Sequence, residues 1–455
     1  MSATRSGGSS GLRMPWAQSD RPVPRRVIRP LQSFLDAETA SGILIVGAVA
    51  IAIAWANSPW RETYEHVWGT ELVWRLSRWS VSDDLRGWIR DGLMTFFFLV
   101  VGLEIKRELI TGELRDRRAA ILPLVAAVGG MLVPALAYIA LTAGSSAERG
   151  WGIAMPTDIA FALGVLLLAS RRTSPGLKVF LLALAIVDDL GSILVVAIFY
   201  SSHLAWTSLA AAAGICVAIV ALRRIHVQAD AAYVAMGVGL WFALRSAGVS
   251  PTLAGVALGL LTPCVPLQRP RTVSEEAHRV ADETVDDPVP PDADAAQWFY
   301  LADLARDAVS PLARMESLLH PWSSYVVVPL FALSNAGVPL TGHALAAGAT
   351  SRVAVAIVAA RVLGKTLGIS IASGVAVRIG LARLPRGVSW RHVIGVAAAA
   401  GIPFTVSLFV AELSIRPGTV LDSARLGILA AALIAGLFGF LLLRAADRHP
   451  AAAPR

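Results

Sequence analysis

The chain has 455 residues, 55% of them hydrophobic and only 16% charged, with a mean hydropathy of +0.62. Soluble domains carry about 25% charged residues, and one aqueous core cannot bury this much apolar chain, so a bilayer must act as solvent. The formal net charge of +8 and isoelectric point near 10.0 do not point to nucleic acid, because most basic residues lie between apolar runs as topology signals do.

Residues 1–34 are rich in Ser, Gly, Pro and Arg and lack the apolar core of a secretory signal. Their composition loosely resembles an organelle transit peptide, but reads more simply as a disordered cytoplasmic tail. A membrane domain over 35–445 follows, then a short cytoplasmic tail over 446–455. A spanning helix needs roughly 20 mainly apolar residues. Twelve stretches qualify, centred on 38–57, 90–108, 119–143, 152–170, 177–200, 205–222, 230–245, 249–264, 322–341, 352–378, 391–413 and 423–444. The expected fold is an all-α polytopic membrane protein with twelve transmembrane helices. Alternate loops hold Arg25, Arg26 and Arg29; Arg115, Arg117 and Arg118; Arg171, Arg172 and Lys178; Arg223 and Arg224; Arg269 and Arg271; Arg383 and Arg386; Arg444 and Arg448. Basic loops face the cytoplasm, so both termini are expected there, which requires an even number of spans. Cys216 and Cys264 lie in apolar contexts and do not form a disulfide framework.

The first long loop, 58–89, contains Trp60, Tyr64, Trp68, Trp74, Trp79 and Trp88. It reads as a periplasmic aromatic belt, and alternation over 70–82 permits a short hairpin. The second span ends in GLEIKRELI, with Glu104 and Glu108 at i,i+4 spacing and Lys106 and Arg107 between them. Such a cluster can funnel cations or sense pH; taken by itself it is also what a snorkelling helix end looks like. In the fourth span, Pro156 removes a backbone donor and can break the helix. Thr157 and Asp158 follow at once, where freed backbone and polar side chains can share a site.

The fifth span carries Asp188 and Asp189 midway along LALAIVDDLGSILVVAIF. A charge at a helix centre costs about 2.5–3.5 kcal/mol on the insertion scale, so such residues are functional candidates by default. Neighbours on a helix point about 100° apart, so one carboxyl can face a water-filled cavity while the other meets a neighbouring helix. Burial and a nearby like charge both disfavour ionisation, and the pair titrates as a unit. It can bind a proton or a small hard cation, but not both, and that competition is the simplest exchange device available. The bland reading is a pair held by hydrogen bonds between helices.

Residues 265–320 form the longest loop, acidic and proline-containing, expected to be a solvated cytoplasmic linker that turns helical from about Trp298. Glu316 and His320 are i,i+4 at the start of the ninth span; a histidine titrates near neutral pH, though a lone one there is more often a plain interfacial residue. The tenth span contains Arg361 and the lone ammonium of Lys365. Gly401, Pro403, Thr405 and Ser407 interrupt the eleventh. Broken helices leave dipole ends in the bilayer. Asp158 suits two facing N-terminal ends, and Lys365 suits two C-terminal ends or a pairing with Asp188.

The strings GLMTFFFLVVGLEIKREL, PTDIAFALGV, LALAIVDDLGSI, HPW, PLFALSNAGV and LGKTLGI together resemble the NhaA sodium/proton antiporter family, over roughly residues 36–445. The resemblance implies inverted repeats and two discontinuous helices crossing near the midplane. NhaA is among the folds from which the inverted-repeat rule is drawn, so that rule lends no independent support. It further implies that Asp189 is the main cation ligand, that Asp188 joins in binding and proton exchange, and that Thr157 lies close to the ion. Asp158 and Lys365 would compensate helix ends, Lys365 also pairing with Asp188. Glu104, Arg107, Glu108, Glu316 and His320 would form a cytoplasmic pH-sensing cluster. Family members extrude Na+ or Li+ against inward H+, more protons than cations per cycle, as inner-membrane homodimers to which a periplasmic hairpin contributes. Ser317 and Ser250 stand where the family often has histidines, which leaves the exchange site intact and bears on the pH threshold.

The expected function is therefore pH-regulated electrogenic Na+(Li+)/H+ antiport. It calls for no enzyme chemistry and no cofactor, and the partners are Na+, Li+, H+, membrane lipid and a second copy of the chain. One rival is a sodium-coupled symporter of an organic anion, since broken helices suit carboxylate substrates, although the aspartate pair would repel one. Another is a membrane sensor or scaffold acting through the acidic loop.

Overall fold

The computed structural model describes residues 40–76, 79–112, 115–170, 174–201, 204–225, 230–286, 291–342, 346, 348, 350–385 and 387–448. The tail expected over 1–34 lies outside them, as do residues 449–455 and the orientation signals Arg25, Arg26, Arg29, Arg171, Arg172 and Arg386.

Apolar runs become helices, and polar or proline-bearing interruptions become their boundaries. α1 (Ala40–Ala56) turns by 117° into α2 (Arg61–Trp68) where the apolar run stops. An antiparallel hairpin follows, β1 (Glu71–Leu76) and β2 (Trp79–Asp84), in register from Glu71 opposite Asp84 to Leu76 opposite Trp79. Asp84 caps the next turn, accepting from the Gly87 amide at 2.6 Å. α3 (Leu85–Trp88) continues through a π turn, Ile89–Leu93, into α4 (Met94–Ile110).

α5 (Arg117–Thr142) contains Pro123 and Pro134. A 3-10 turn, Glu148–Ala154, is set at 44° to α6 (Ile159–Ala169). Then come α7 (Pro175–Phe199), α8 (Trp206–Arg224), α9 (Asp230–Ser246) and α10 (Leu253–Leu261). The acidic stretch, expected to be a linker that turns helical from about Trp298, is already helical in α11 (Pro270–Asp286) and then forms α12 (Pro291–Asp307), leading to α13 (Pro311–Trp322). Val273, Ala277 and Val280 fall at helical spacing in α11, and Val280 is buried. That apolar face explains the helix despite its many charges.

A π turn, Ser323–Val327, joins α13 to α14 (Val328–Asn335). α15 (Arg352–Ala359), a π turn at Ala360–Gly364 and α16 (Lys365–Arg378) run end to end. α17 (Trp390–Ala399), α18 (Thr405–Ser414) and α19 (Thr419–Asp447) complete the chain.

Among the described residues, five helices are long and apolar enough to cross a membrane by themselves, or up to seven if each bent pair is one span. The other stretches expected to span fall on shorter or interrupted helices, so length alone does not carry the count of twelve. Ile198, Val217 and Leu433 are exposed on these helices, as a lipid-facing surface requires and water would not favour. α5 and α16 meet backbone to backbone. A Cβ on Gly129 would stand 2.5 Å from the Gly368 carbonyl oxygen, and one on Gly368 would collide with the Gly129 carbonyl in return. α7 crosses between two apolar cores, giving Ile193 and Val196 to one and Leu181 and Leu184 to the other. Its midpoint lies where the two cores meet, and that midpoint is Asp188–Asp189.

Candidate functional site

Two interrupted segments build the site. Pro156 has no amide hydrogen to give a helix, and the chain is non-helical from Pro156 to Asp158, between the 3-10 turn and α6, with Asp158 extended. Pro403 likewise lies between α17 and α18, where Ile402 to Phe404 are non-helical. The segments are bonded to each other. The Asp158 amide donates to the Ile402 carbonyl at 3.3 Å, and the Thr157 hydroxyl lies 2.9 Å from the Ala400 carbonyl.

Asp158 serves both N-terminal ends. Its Oδ1 accepts from the Phe161 amide at 3.4 Å in the first turn of α6, and its Oδ2 from the Thr405 amide at 3.3 Å and hydroxyl at 3.0 Å in the first turn of α18. A carboxylate at a helix N-terminus satisfies orphan amides and opposes the positive dipole end. The opposite ends receive cations. Lys365 Nζ donates to the Met155 carbonyl at 2.5 Å, while Arg361 donates to the Ala154 carbonyl at 3.0 Å and the Gly401 carbonyl at 3.2 Å.

Asp188 and Asp189 face this crossing from α7. Asp188 is 0% exposed and accepts at one oxygen, Oδ2, from Lys365 Nζ at 2.5 Å and from the Thr157 hydroxyl at 2.7 Å. Asp189, the neighbour on the next helix face, is 7% exposed. Oδ1 of Asp188 and Oδ1 of Asp189 are both buried with no hydrogen-bond partner among the described residues. Buried polar atoms are nearly always satisfied, so an orphaned carboxylate oxygen on each of two successive residues needs a reason. Carboxylate and hydroxyl oxygens are hard donors of the kind that suit hard cations. Sequence-singled residues Thr157, Asp158, Asp188, Asp189 and Lys365 are thus brought together.

The second group is only partly assembled. The Arg107 guanidinium is ion-paired with Glu316, which is buried, linking α4 to α13. Glu104 and Glu108 are partly buried on α4, with Glu104 within electrostatic reach of both Glu316 and Asp189. His320 is exposed one turn beyond Glu316. Lys106 leaves the cluster: it is buried and donates to the Leu260 carbonyl at 2.7 Å and to the Thr262 carbonyl, ending α10.

The sequence does not show the partners of three buried polar residues. Arg361 and Thr405 were visible as polar residues in apolar runs, but their partners depend on which helices cross. Asp91 lies at the lip of the second span, where a charge looks like an ordinary boundary. It is buried, with Oδ1 held by Arg90 at 2.8 Å and Oδ2 by Arg245 at 2.8 Å, while Arg245 also reaches Asp83 of the hairpin at 2.9 Å.

The chain is 45% identical over 441 residues to Na(+)/H(+) antiporter NhaA 2 of Sorangium cellulosum (strain So ce56), covering 95% of this chain and 94% of that one. It is 44% identical over 448 residues to Na(+)/H(+) antiporter NhaA of Anaeromyxobacter sp. (strain Fw109-5), covering 95% and 97%. Among solved structures it is similar to the sodium proton antiporter MjNhaP1 from Methanocaldococcus jannaschii at pH 8. That likeness has a TM-score of 0.50 over 93% of this chain and 98% of the other at 12% identity, and it is one of fold alone. A family model described as Na+/H+ antiporter 1 matches residues 32–443, and with these relatives it establishes that the chain belongs to that family.

Proposed function

We propose that this chain exchanges Na+ for H+ across a membrane at Asp188 and Asp189. The observation that carries the reading is the pair of buried, adjacent carboxylates with an unpartnered oxygen each. Names of the relatives support the same exchange. In the proton-loaded state Asp189 is neutral and the second proton sits in the Lys365–Asp188 pair. Na+ arriving from the cytoplasm displaces the protons, is held by Asp189 with Asp188 and the Thr157 hydroxyl, and draws Asp188 away from Lys365. When the site opens outward, protons displace Na+ and the Lys365–Asp188 pair forms again.

Two carboxyls facing one cation supply the means for more than one proton per ion, hence electrogenic exchange. Li+, a smaller hard cation, fits the same donors. Glu104, Arg107, Glu108, Glu316 and His320 act as the pH-sensing cluster, a role supported by the Arg107–Glu316 bridge between α4 and α13. Twelve spans in inverted repeats, with the segments around Pro156 and Pro403 as discontinuous helices crossing near the midplane, accommodate this site. The basic loops then lie in the cytoplasm of an inner membrane with both termini, and the β1–β2 hairpin serves a homodimer. Anion symport is the weaker alternative, because a carboxylate substrate would meet the two aspartates.

The test is antiport in everted membrane vesicles across pH, with proton release on adding Na+ to the purified protein. Asp189→Asn is expected to abolish both. Absence of Na+-dependent proton release from the parent protein would remove the mechanism.

A further inference from the structure

We propose that Arg361, not Lys365, is the residue that neutralises and joins the C-terminal ends of the two interrupted segments, leaving Lys365 to serve Asp188. The inference rests on the exchange reading above and deepens it. Arg361 is 0% exposed, on the π turn Ala360–Gly364 one turn before Lys365. Its guanidinium bonds to both ends, Ala154 at 3.0 Å and Gly401 at 3.2 Å, with Nη2 buried and without a partner among the described residues. Among the described residues, Lys365 bonds to one end alone, the Met155 carbonyl, and turns its other contact to Asp188. The backbones are close enough to need glycine, since a Cβ on Gly401 would stand 2.7 Å from the Arg361 carbonyl oxygen.

Charge arithmetic favours this division. A helix C-terminus is worth at most about −0.5 charge, so two ends sum to about −1, which one guanidinium matches. The charge of Lys365 is then available to offset Asp188. A guanidinium cannot be deprotonated in proteins, whereas a buried lysine can lose its proton. The fixed cation therefore keeps the crossing neutralised whatever Lys365 does during a cycle. Arg361 is a positioning residue: it does not touch the carboxylates, and it acts by holding the frame and potential around them.

The test compares Arg361→Gln, Arg361→Lys and Lys365→Gln in the full-length protein, by thermal melting in detergent and by Na+/H+ exchange in proteoliposomes. Arg361→Gln is expected to lower the melting temperature by roughly 5–10 °C, with Lys365→Gln within a few degrees of the parent. Glutamine keeps amide donors and loses the charge, so the ends turn the potential at the carboxylates more negative. Turnover and the apparent KM for Na+ should then both fall, each roughly tenfold, and Arg361→Lys should restore most of the turnover. A purely structural hydrogen-bonding role predicts that glutamine and lysine do equally well with KM unchanged; that result overturns the assignment. So does a Lys365→Gln protein that melts as low as Arg361→Gln. If Arg361→Gln does not accumulate as folded protein while Arg361→Lys and Lys365→Gln do, the assignment stands; if Lys365→Gln is lost as well, it falls. Should the parent show no Na+-dependent proton movement, the exchange reading fails, and the melting comparison still decides the placement of the charge.

Discussion

Two buried groups of charges sit on α4, α7 and α9 and their neighbours, and they are built in opposite ways. Around Asp91 both carboxylate oxygens are met by guanidiniums, the backbone carbonyl accepts from the Trp241 indole at 2.8 Å, and Arg245 lies over that indole, 5.5 Å from its centroid. Around Asp188 and Asp189 one buried oxygen of each acid goes without a partner among the described residues. A saturated polar network holds a structure together, whereas a partly satisfied one is an unstable arrangement that persists for a purpose. The contrast sets a clamp apart from the proposed exchange site without reference to any relative.

Exchanging the roles of the two groups gives the largest expected effects. Asp189→Asn replaces a buried acid that has an orphaned oxygen, so exchange should drop to background while the melting temperature holds or rises. Asp91→Asn breaks a saturated pair, so it should cost about 1–3 kcal/mol of stability, and the protein that remains folded should keep its exchange rate. If Asp91→Asn abolished exchange in fully folded protein, the distinction would be wrong. Lys106→Met tests a third buried charge, one that ends α10. It should cost about 1–2 kcal/mol through the unpaired Leu260 and Thr262 carbonyls, read as a lower melting temperature with the Na+ dependence unchanged. At the small end, Arg271→Ala removes an exposed i,i+4 partner of Glu275 on α11 and should change stability by no more than about 0.5 kcal/mol.

Charges were legible in the sequence wherever they interrupted a long apolar run. Asp158, Asp188, Asp189 and Lys365 stood out for that reason, and Pro156 and Pro403 marked where backbone would be freed. Asp91 was hidden because it lies at the start of its run, where a charge looks like an ordinary boundary. The role of Arg361 was not legible: its two carbonyl partners are separated from it by 207 and 40 residues, and only the crossing brings them together. In 265–320 the density of acidic residues and prolines masked the helical spacing of Val273, Ala277 and Val280. His320 shares a helix face with Glu316 by spacing, yet packing leaves it outside the Arg107–Glu316 bridge.

The glycine contact between α5 and α16 has a mechanical consequence. With no side chain between the two backbones at Gly129 and Gly368, there is nothing to shear and no slack to take up. The pair behaves as one plank, and whatever displaces Lys365 along its axis must drag α5 along or first pry the seam apart.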